Sequence, residues 1–375
     1  MDKKKITNME VKKKNRNEVF RYICRQGTVS NPDISYNMKI SLPTATQITK
    51  ELMAEGLLEE KGELQSTGGR RAKALSAVVN ARLAVGLDIT KNHIALVLTN
   101  IVGKIIKYER IHQPYVSGEA YYREVSERLE HFLDENGVDR QKVLGVGISF
   151  PGIINLDKGQ ITYSHILGVE AVPLDSVSAF FHYPCFFLND ANAGAYAEGF
   201  HGDETERFFY LSLSNTVGGA IFGGNELIQG NNFRCGEVGH MTVVIDGEGC
   251  YCGKRGCLDA YCAAWHLSDL ADGKLEQFFS MLDQGDAEAA KIWDSYTDYL
   301  AIAVNNIYMV LDCDIVLGGY VGSCMGTHLQ EIWDKVVGRN TFGEKDSFVK
   351  ACNYKVAAAA LGAALKVIET FVSQI

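Results

Sequence analysis

Leu83-Ala-Val-Gly-Leu-Asp-Ile89 opens the stretch that decides the fold. It is an apolar run of strand length, followed by Ile94 to Thr99 and Lys104 to Tyr108, which read as two more strands of a meander. Gly118 to Gly137 then has a helical pattern, and Val143 to Ser149 is a buried strand closed by Phe150-Pro151-Gly152. A second cycle starts after Asn189. Phe208 to Ser214 and Gly218 to Phe222 repeat the paired strands, and Ile315 to Leu317 is a late strand running into Gly318-Gly319. The last twenty residues, with Ala357-Ala-Ala-Ala and Leu361 to Phe371, predict a closing helix. Alternating strands and helices give the α/β class. The repeated opening predicts two similar lobes with a ligand cleft between them.

Within the second lobe lies Cys250-Tyr-Cys-Gly-Lys-Arg-Gly-Cys257, with His240 ten positions before its first cysteine. Three thiols and an imidazole are the ligand set of a closed structural zinc site. Gly253 and Gly256 let the loop turn tightly enough to bring the sulfurs together. Three buried cysteines in eight residues between glycines would make poor core packing, so the clustering favours a Zn2+ site over a plain core.

The chain has 375 residues, enough for two or three domains, with 46% hydrophobic and 22% charged residues, as in a globular protein. No apolar run reaches the length of a membrane span, and no apolar segment follows Met-Asp-Lys-Lys-Lys at the start, so neither a membrane anchor nor a secretory signal is expected. Ten cysteines, scattered outside the cluster, fit free thiols in a reducing cytoplasm. The net charge of −9 is unevenly spread. Residues 1–80 hold 15 Lys and Arg against 9 Asp and Glu, a net of +6, whereas the remainder holds 22 against 37, a net of −15. A basic piece on an acidic body suggests a local polyanion contact.

That basic piece predicts a winged helix-turn-helix. Asn15 to Gln26 places Val19, Phe20, Ile23 and Cys24 on one helical face, and Gly27 ends it. Asn31-Pro32-Asp33 starts a short second helix that runs to about Met38. Ser41 caps a third, with an expected apolar stripe of Leu42, Ala45, Ile48 and Leu52. Its outer face offers Thr44, Thr46, Gln47 and Lys50, side chains suited to base edges and phosphates. The following residues read as a hairpin wing tipped by Gly68-Gly69, with Arg70, Arg71 and Lys73 placed to meet DNA.

Phe150-Pro151-Gly152, Leu188-Asn-Asp-Ala-Asn-Ala193, Gly236-Glu-Val-Gly-His240, the cysteine run and Ile315-Val-Leu-Gly-Gly319 occur in an order that resembles the ROK family of repressors and sugar kinases. The resemblance covers residues 83–375, and the N-terminal segment is similar to its repressor branch, such as xylose repressors. It implies an actin-like, ribonuclease-H-like α/β body. It implies zinc held by His240, Cys250, Cys252 and Cys257, and sugar hydroxyls held by Asn189, Asp190, Glu237 and His240. In the family's kinases the position of Asp190 is the base. A sugar hydroxyl must lose its proton as it attacks a phosphoryl group, and a carboxylate can accept it. Asp259 stands where the family has a glutamate that contacts sugar, one methylene shorter.

Two departures bear on ATP. The kinases place glycines after the first strand, where this chain has Asp88-Ile-Thr-Lys-Asn92. Their second phosphate loop is glycine-rich, where this chain has Ser214-Asn-Thr-Val-Gly218. Backbone N–H groups must approach phosphate closely, and side chains obstruct that. The expected organisation is a DNA-binding domain over 1–80, a first lobe over 81–190 and a second over 191–375. The expected function is a sugar-responsive repressor that binds operator DNA as a homodimer or tetramer. The rivals are a sugar kinase with an appended DNA-binding domain, and a body that answers to a protein partner.

Overall fold

The computed structural model describes residues 8–64, 72–202 and 205–375. Three helices come first: α1 (Asn8–Gln26), α2 (Asn31–Met38) and α3 (Leu42–Ala54). Gly27 at φ +79° ends α1. The second helix is capped by Ser30 rather than Asn31, because Ser30 and Asp33 exchange bonds as a capping box. Ser41 caps α3 through the Thr44 N–H. Strands β1 (Leu58–Glu63) and β2 (Lys73–Ala77) pair antiparallel as the arms of the expected wing. Its tip, with Arg70 and Arg71, lies outside the described residues. Ala45, Ile48 and Leu52 are buried as expected, but Leu42 is 47% exposed. It is the first residue after the cap and has no earlier turn to pack on.

The body is α/β and doubled. In the first half run β3 (Leu83–Ile89), β4 (His93–Asn100), β5 (Ile105–His112), α4 (Glu119–Glu135), β6 (Val143–Phe150), β7 (Ile153–Asn155), β8 (Gln160–Ser164), β9 (Val169–Pro173), α5 (Leu174–Ser178) and β10 (Cys185–Asn189). After α6 (Asp190–Gly199) come β11 (Arg207–Leu213), β12 (Val217–Gly223), β13 (Glu226–Ile228), α7 (Asp259–Cys262), α8 (Trp265–Ser268), α9 (Leu275–Asp283), α10 (Ala287–Leu311), β14 (Asp314–Gly318), α11 (Gly319–Gly322), α12 (Leu329–Val337), β15 (Val349–Ala351) and α13 (Ala358–Val372).

One five-stranded sheet has the order β10-β6-β3-β4-β5, and the other β13-β12-β11-β14-β15. Each is an antiparallel meander of three strands extended on one side by two parallel strands. The repeat expected from the sequence is therefore a repeat of topology. Between the sheets run α6 and α13, which pack closely on each other. The first sheet lets α13 come close because Gly147 carries no side chain: a Cβ there would lie 1.9 Å from the Ala363 carbonyl oxygen.

The N-terminal helices rest on α13. Val19, Phe20 and Ile23 share a core with Val367, Ile368 and Val372. The Arg21 guanidinium pairs with the Glu369 carboxylate, and Asn17 Nδ2 donates to the Ser373 carbonyl at 3.0 Å. The element that closes the body thus also seats the helix-turn-helix. Among the described residues no helix is long and apolar enough to cross a membrane.

Candidate functional site

The site is assembled where β10 runs into α6. Asn189 is the helix cap: its Oδ1 accepts from the Asn192 N–H at 3.1 Å. Its amide then donates to the Gly152 carbonyl and to Asp190 Oδ1, both at 2.9 Å. Phe150-Pro151-Gly152 and Asn189-Asp190, 37 positions apart at the Gly152–Asn189 bond, are thereby locked together. Asp190 lines the cleft between the lobes. Desolvation pushes its carboxyl up to about 6, and the charge of Glu237 adds to the rise. Glu237 lines a neighbouring polar cavity with Asn189, Asn192, Gly152 and Gln229. The structure therefore brings Asn189, Asp190 and Glu237 to one place from two separate elements.

His240 follows on a single turn after Glu237. Its Nδ1 faces Cys250 Sγ at 3.8 Å, and Cys252 and Cys257 have their sulfurs 3.7 Å apart. The four donor atoms of His240, Cys250, Cys252 and Cys257 all lie within 4.8 Å of one another. A tetrahedron of zinc–sulfur bonds of about 2.3 Å has edges of about 3.8 Å, so the set fits a zinc ion. Desolvation lowers the His240 pKa, which keeps the imidazole neutral, as a ligand must be. The loop is held by short bridges between Thr242 and Cys257 and between Gly249 and Arg255. Gly256 has φ +76°, and a Cβ on it would lie 1.7 Å from the Val244 carbonyl oxygen, so only glycine fits.

Asp259 is 4% exposed and sits at the start of α7. Its Oδ2 accepts from the Val217 N–H at 2.8 Å, so one carboxylate oxygen braces the start of β12. Burial pushes this carboxyl up to about 6.

On the other side of Asp190 the cleft is lined by Asp88, Thr90, Lys91, Ser212, Ser214, Thr216, Gly319 and Tyr320, among others. Asp88 is buried, accepts from Ser149 Oγ at 2.8 Å, and is pushed up to about 7 by desolvation. The turn after β3 is closed by Thr90, whose hydroxyl donates to the His93 carbonyl and accepts from the His93 N–H. The Gly319 N–H donates to the Tyr210 hydroxyl at 3.2 Å, and the Tyr320 N–H to Ser214 Oγ at 3.3 Å. Arg110 lies over the Tyr320 ring, 5.3 Å from its centroid. Sequence reasoning passed over Tyr210, Tyr320 and Arg110. A tyrosine directly after Gly318-Gly319 was the available signal.

At the far end of the chain, α3 exposes Thr44, Gln47 and Lys50, with Thr46 half-buried. Thr44 Oγ1 bonds to Ser41 Oγ at 2.8 Å, and Gln47 Nε2 donates to Glu51 Oε1 at 2.9 Å. Tyr36 on α2 is 84% exposed and was also passed over.

A helix-turn-helix with hairpin arms, set on a two-lobed α/β body with a polar cleft and a thiol–imidazole cluster, defines a class: a regulator-type chain built on a sugar-kinase-type body. The sequence profile of the ROK family matches residues 84–370, and the chain belongs to that family. A putative xylose repressor of Caldicellulosiruptor sp. (strain Rt8B.4) is 30% identical over 357 residues, covering 88% of this chain and 89% of the relative. The DNA-binding transcriptional dual regulator NagC of Escherichia coli K12 is 26% identical over 256 residues, covering 68% of this chain and 63% of the relative. Among solved structures, a ROK family transcriptional regulator described as a homolog of the E. coli MLC protein superposes with a TM-score of 0.77 at 20% identity, covering 97% of this chain and 100% of that one. A ROK family glucokinase from Streptomyces griseus, in complex with glucose and AMPPNP, gives a TM-score of 0.64 at 22% identity over 76% of this chain and 98% of that one. These likenesses agree with the α/β fold expected from the sequence.

Proposed function

We propose that this chain is a sugar-responsive transcriptional repressor. Its helix-turn-helix binds operator DNA, and its body binds an unphosphorylated sugar. Asn189, Asp190 and Glu237 supply the acceptors and donors that adjacent sugar hydroxyls require, with His240 Nε2 beside them. The relatives named above as xylose repressor and NagC support the regulator reading. Thr44, Thr46, Gln47 and Lys50 enter the major groove, and Arg70 and Arg71 extend the contact from the wing. The zinc ion would be held by His240, Cys250, Cys252 and Cys257; when bound, it fixes the loop and the tautomer of His240. The three-part division at residues 80 and 190, a dimeric or tetrameric state and a cytoplasmic setting belong to the same reading.

The observation that carries it against the kinase reading lies in the cleft. A phosphate group is held by backbone N–H donors that approach it closely. Here the donors of Gly319 and Tyr320 are already spent on Tyr210 and Ser214. A nucleotide would have to break both bonds and move the Tyr320 ring. On the sugar side of Asp190 the neighbouring cavity is lined by the polar side chains of Asn189, Asn192, Gln229 and Glu237.

Sugar acts on DNA affinity only by binding one arrangement of the protein better than another. The path is short. Asp190 is the first residue of α6, α6 packs on α13, and α13 carries Glu369, the partner of Arg21 in the DNA-binding domain. A thermal-shift screen against monosaccharides tests the reading, because a ligand specific for the folded state raises the melting temperature. No shift with any pentose or hexose would contradict it.

A further inference from the structure

Tyr251 stands between two of the cysteines, and its ring does not turn away from the site. Its hydroxyl lies 3.4 Å from His240 Nε2. Its ring stacks on His165, with centroids 3.9 Å apart and planes within 8°. His165 belongs to the segment between β8 and β9, on the first half of the body, and its Nδ1 is 3.4 Å from the Tyr163 hydroxyl. Tyr251 belongs to the second half. The stack therefore joins the two halves beside His240.

His240 has two ring nitrogens, and each serves one partner. Nδ1 faces the sulfur cluster. Nε2 is the nitrogen left for a sugar hydroxyl, and the phenol of Tyr251, which also bonds the Asp259 carboxylate, is against it. A sugar hydroxyl and the Tyr251 hydroxyl cannot both hold that position.

We propose that Tyr251 and His165 form an aromatic clamp across the cleft, in which the Tyr251 hydroxyl competes with the effector's hydroxyl for His240 Nε2. Effector entry displaces the hydroxyl, loosens the stack on His165 and frees the two halves to move. Tyr251 is then a positioning residue that sets effector affinity from below, and His165 is its support. The proposal rests on the sugar reading of Asn189, Asp190 and Glu237.

The test is calorimetric titration of the full chain with D-xylose, D-glucose and N-acetyl-D-glucosamine, for wild type, Tyr251→Phe and His165→Ala. Phenylalanine keeps the ring on His165 and deletes the competing hydroxyl. One neutral hydrogen bond removed from the competing state should tighten the dissociation constant by about two- to tenfold. His165→Ala lies outside the metal loop and should tighten it by a similar factor, with zinc content and melting temperature recording that the loop is intact. A Tyr251→Phe protein that binds the sugar more weakly would mean the hydroxyl contacts the ligand, and equal binding would mean it does not compete. Either result overturns the clamp while leaving the sugar reading standing. If wild type and both variants bind none of these three sugars nor any other pentose or hexose, the sugar reading fails and the clamp with it.

Discussion

Replacing Asp190 should move stability and function in opposite directions. Its carboxyl is raised from an ordinary 3.8 to about 6, chiefly by desolvation. A raised carboxyl pKa means that the folded state holds its proton more tightly than the unfolded chain does. The stabilisation is therefore present below about pH 4 and is lost as pH rises through about 6. Above that, keeping the charge in the cleft costs at most about 3 kcal/mol. The open face of the cleft reduces this. Asp190→Asn keeps the volume and removes the charge, so it should melt higher than wild type at pH 7.5 and lose that advantage at pH 5. Asp190→Ala removes the acceptor as well. A sugar hydroxyl left without its partner costs about 1–3 kcal/mol, a weakening of about 5- to 150-fold in dissociation constant. Operator affinity without sugar should stay near wild type, since a protein blind to effector keeps its resting arrangement. Wild-type sugar affinity should itself fall as pH drops below about 6, where Asp190 takes up its proton. Melting scans at the two pH values and calorimetric titration measure all of this. An Asp190→Ala protein with unchanged sugar affinity, or an Asp190→Asn protein that gains more at pH 5 than at pH 7.5, would refute the reasoning.

Cys257→Ser should lose the metal and lower the melting temperature, because the binding energy of a structural site is coupled to folding; elemental analysis of unchelated wild type should return one zinc per chain. Coupled assays with hexoses, pentoses, ATP and magnesium should show no turnover. A rate in the usual kinase range of about 1–100 per second would contradict the account. Gln47→Ala should relax operator preference by about 1–3 kcal/mol if Gln47 exchanges Glu51 for a bidentate base contact, read by anisotropy against single-base operator variants. Lys50→Ala should weaken all sequences alike and reduce the salt slope by about one.

The sequence carried the body because its strands are apolar and evenly punctuated. Leu83 to Ile89 matches β3 residue for residue, and the second strand pair and the closing helix fall within a few residues of their reading, though the third strand of the second meander, β13, goes unread. The 25-residue α10 carries the same kind of signal, with Gly285-Asp286 at its start and Trp293, Tyr296, Leu300, Val304 and Ile307 at helical spacing, yet it is absent from the sequence reading. The small sheet β7-β8-β9 has strands of three to five residues, too short for a periodic signal. Asn189, Asp190, Glu237 and the His240–Cys257 cluster were legible because their chemistry is local and dense. Tyr251, Tyr210 and Tyr320 were not, because a tyrosine declares nothing until its hydroxyl is seen to meet His240 Nε2 or the Gly319 N–H. Asp259 was visible in the sequence, yet its bond to the Val217 N–H spans 42 positions and no local pattern announces it.

The central claim is that one chain reads both DNA and sugar. Fluorescence anisotropy of the full chain on operator DNA, titrated with D-xylose and then with other monosaccharides, tests it most directly. The account predicts that at least one sugar shifts operator affinity by about 5- to 150-fold, the usual span of such coupling, and that Asp190→Ala abolishes the shift. Operator affinity that stays constant at saturating levels of every sugar would contradict it.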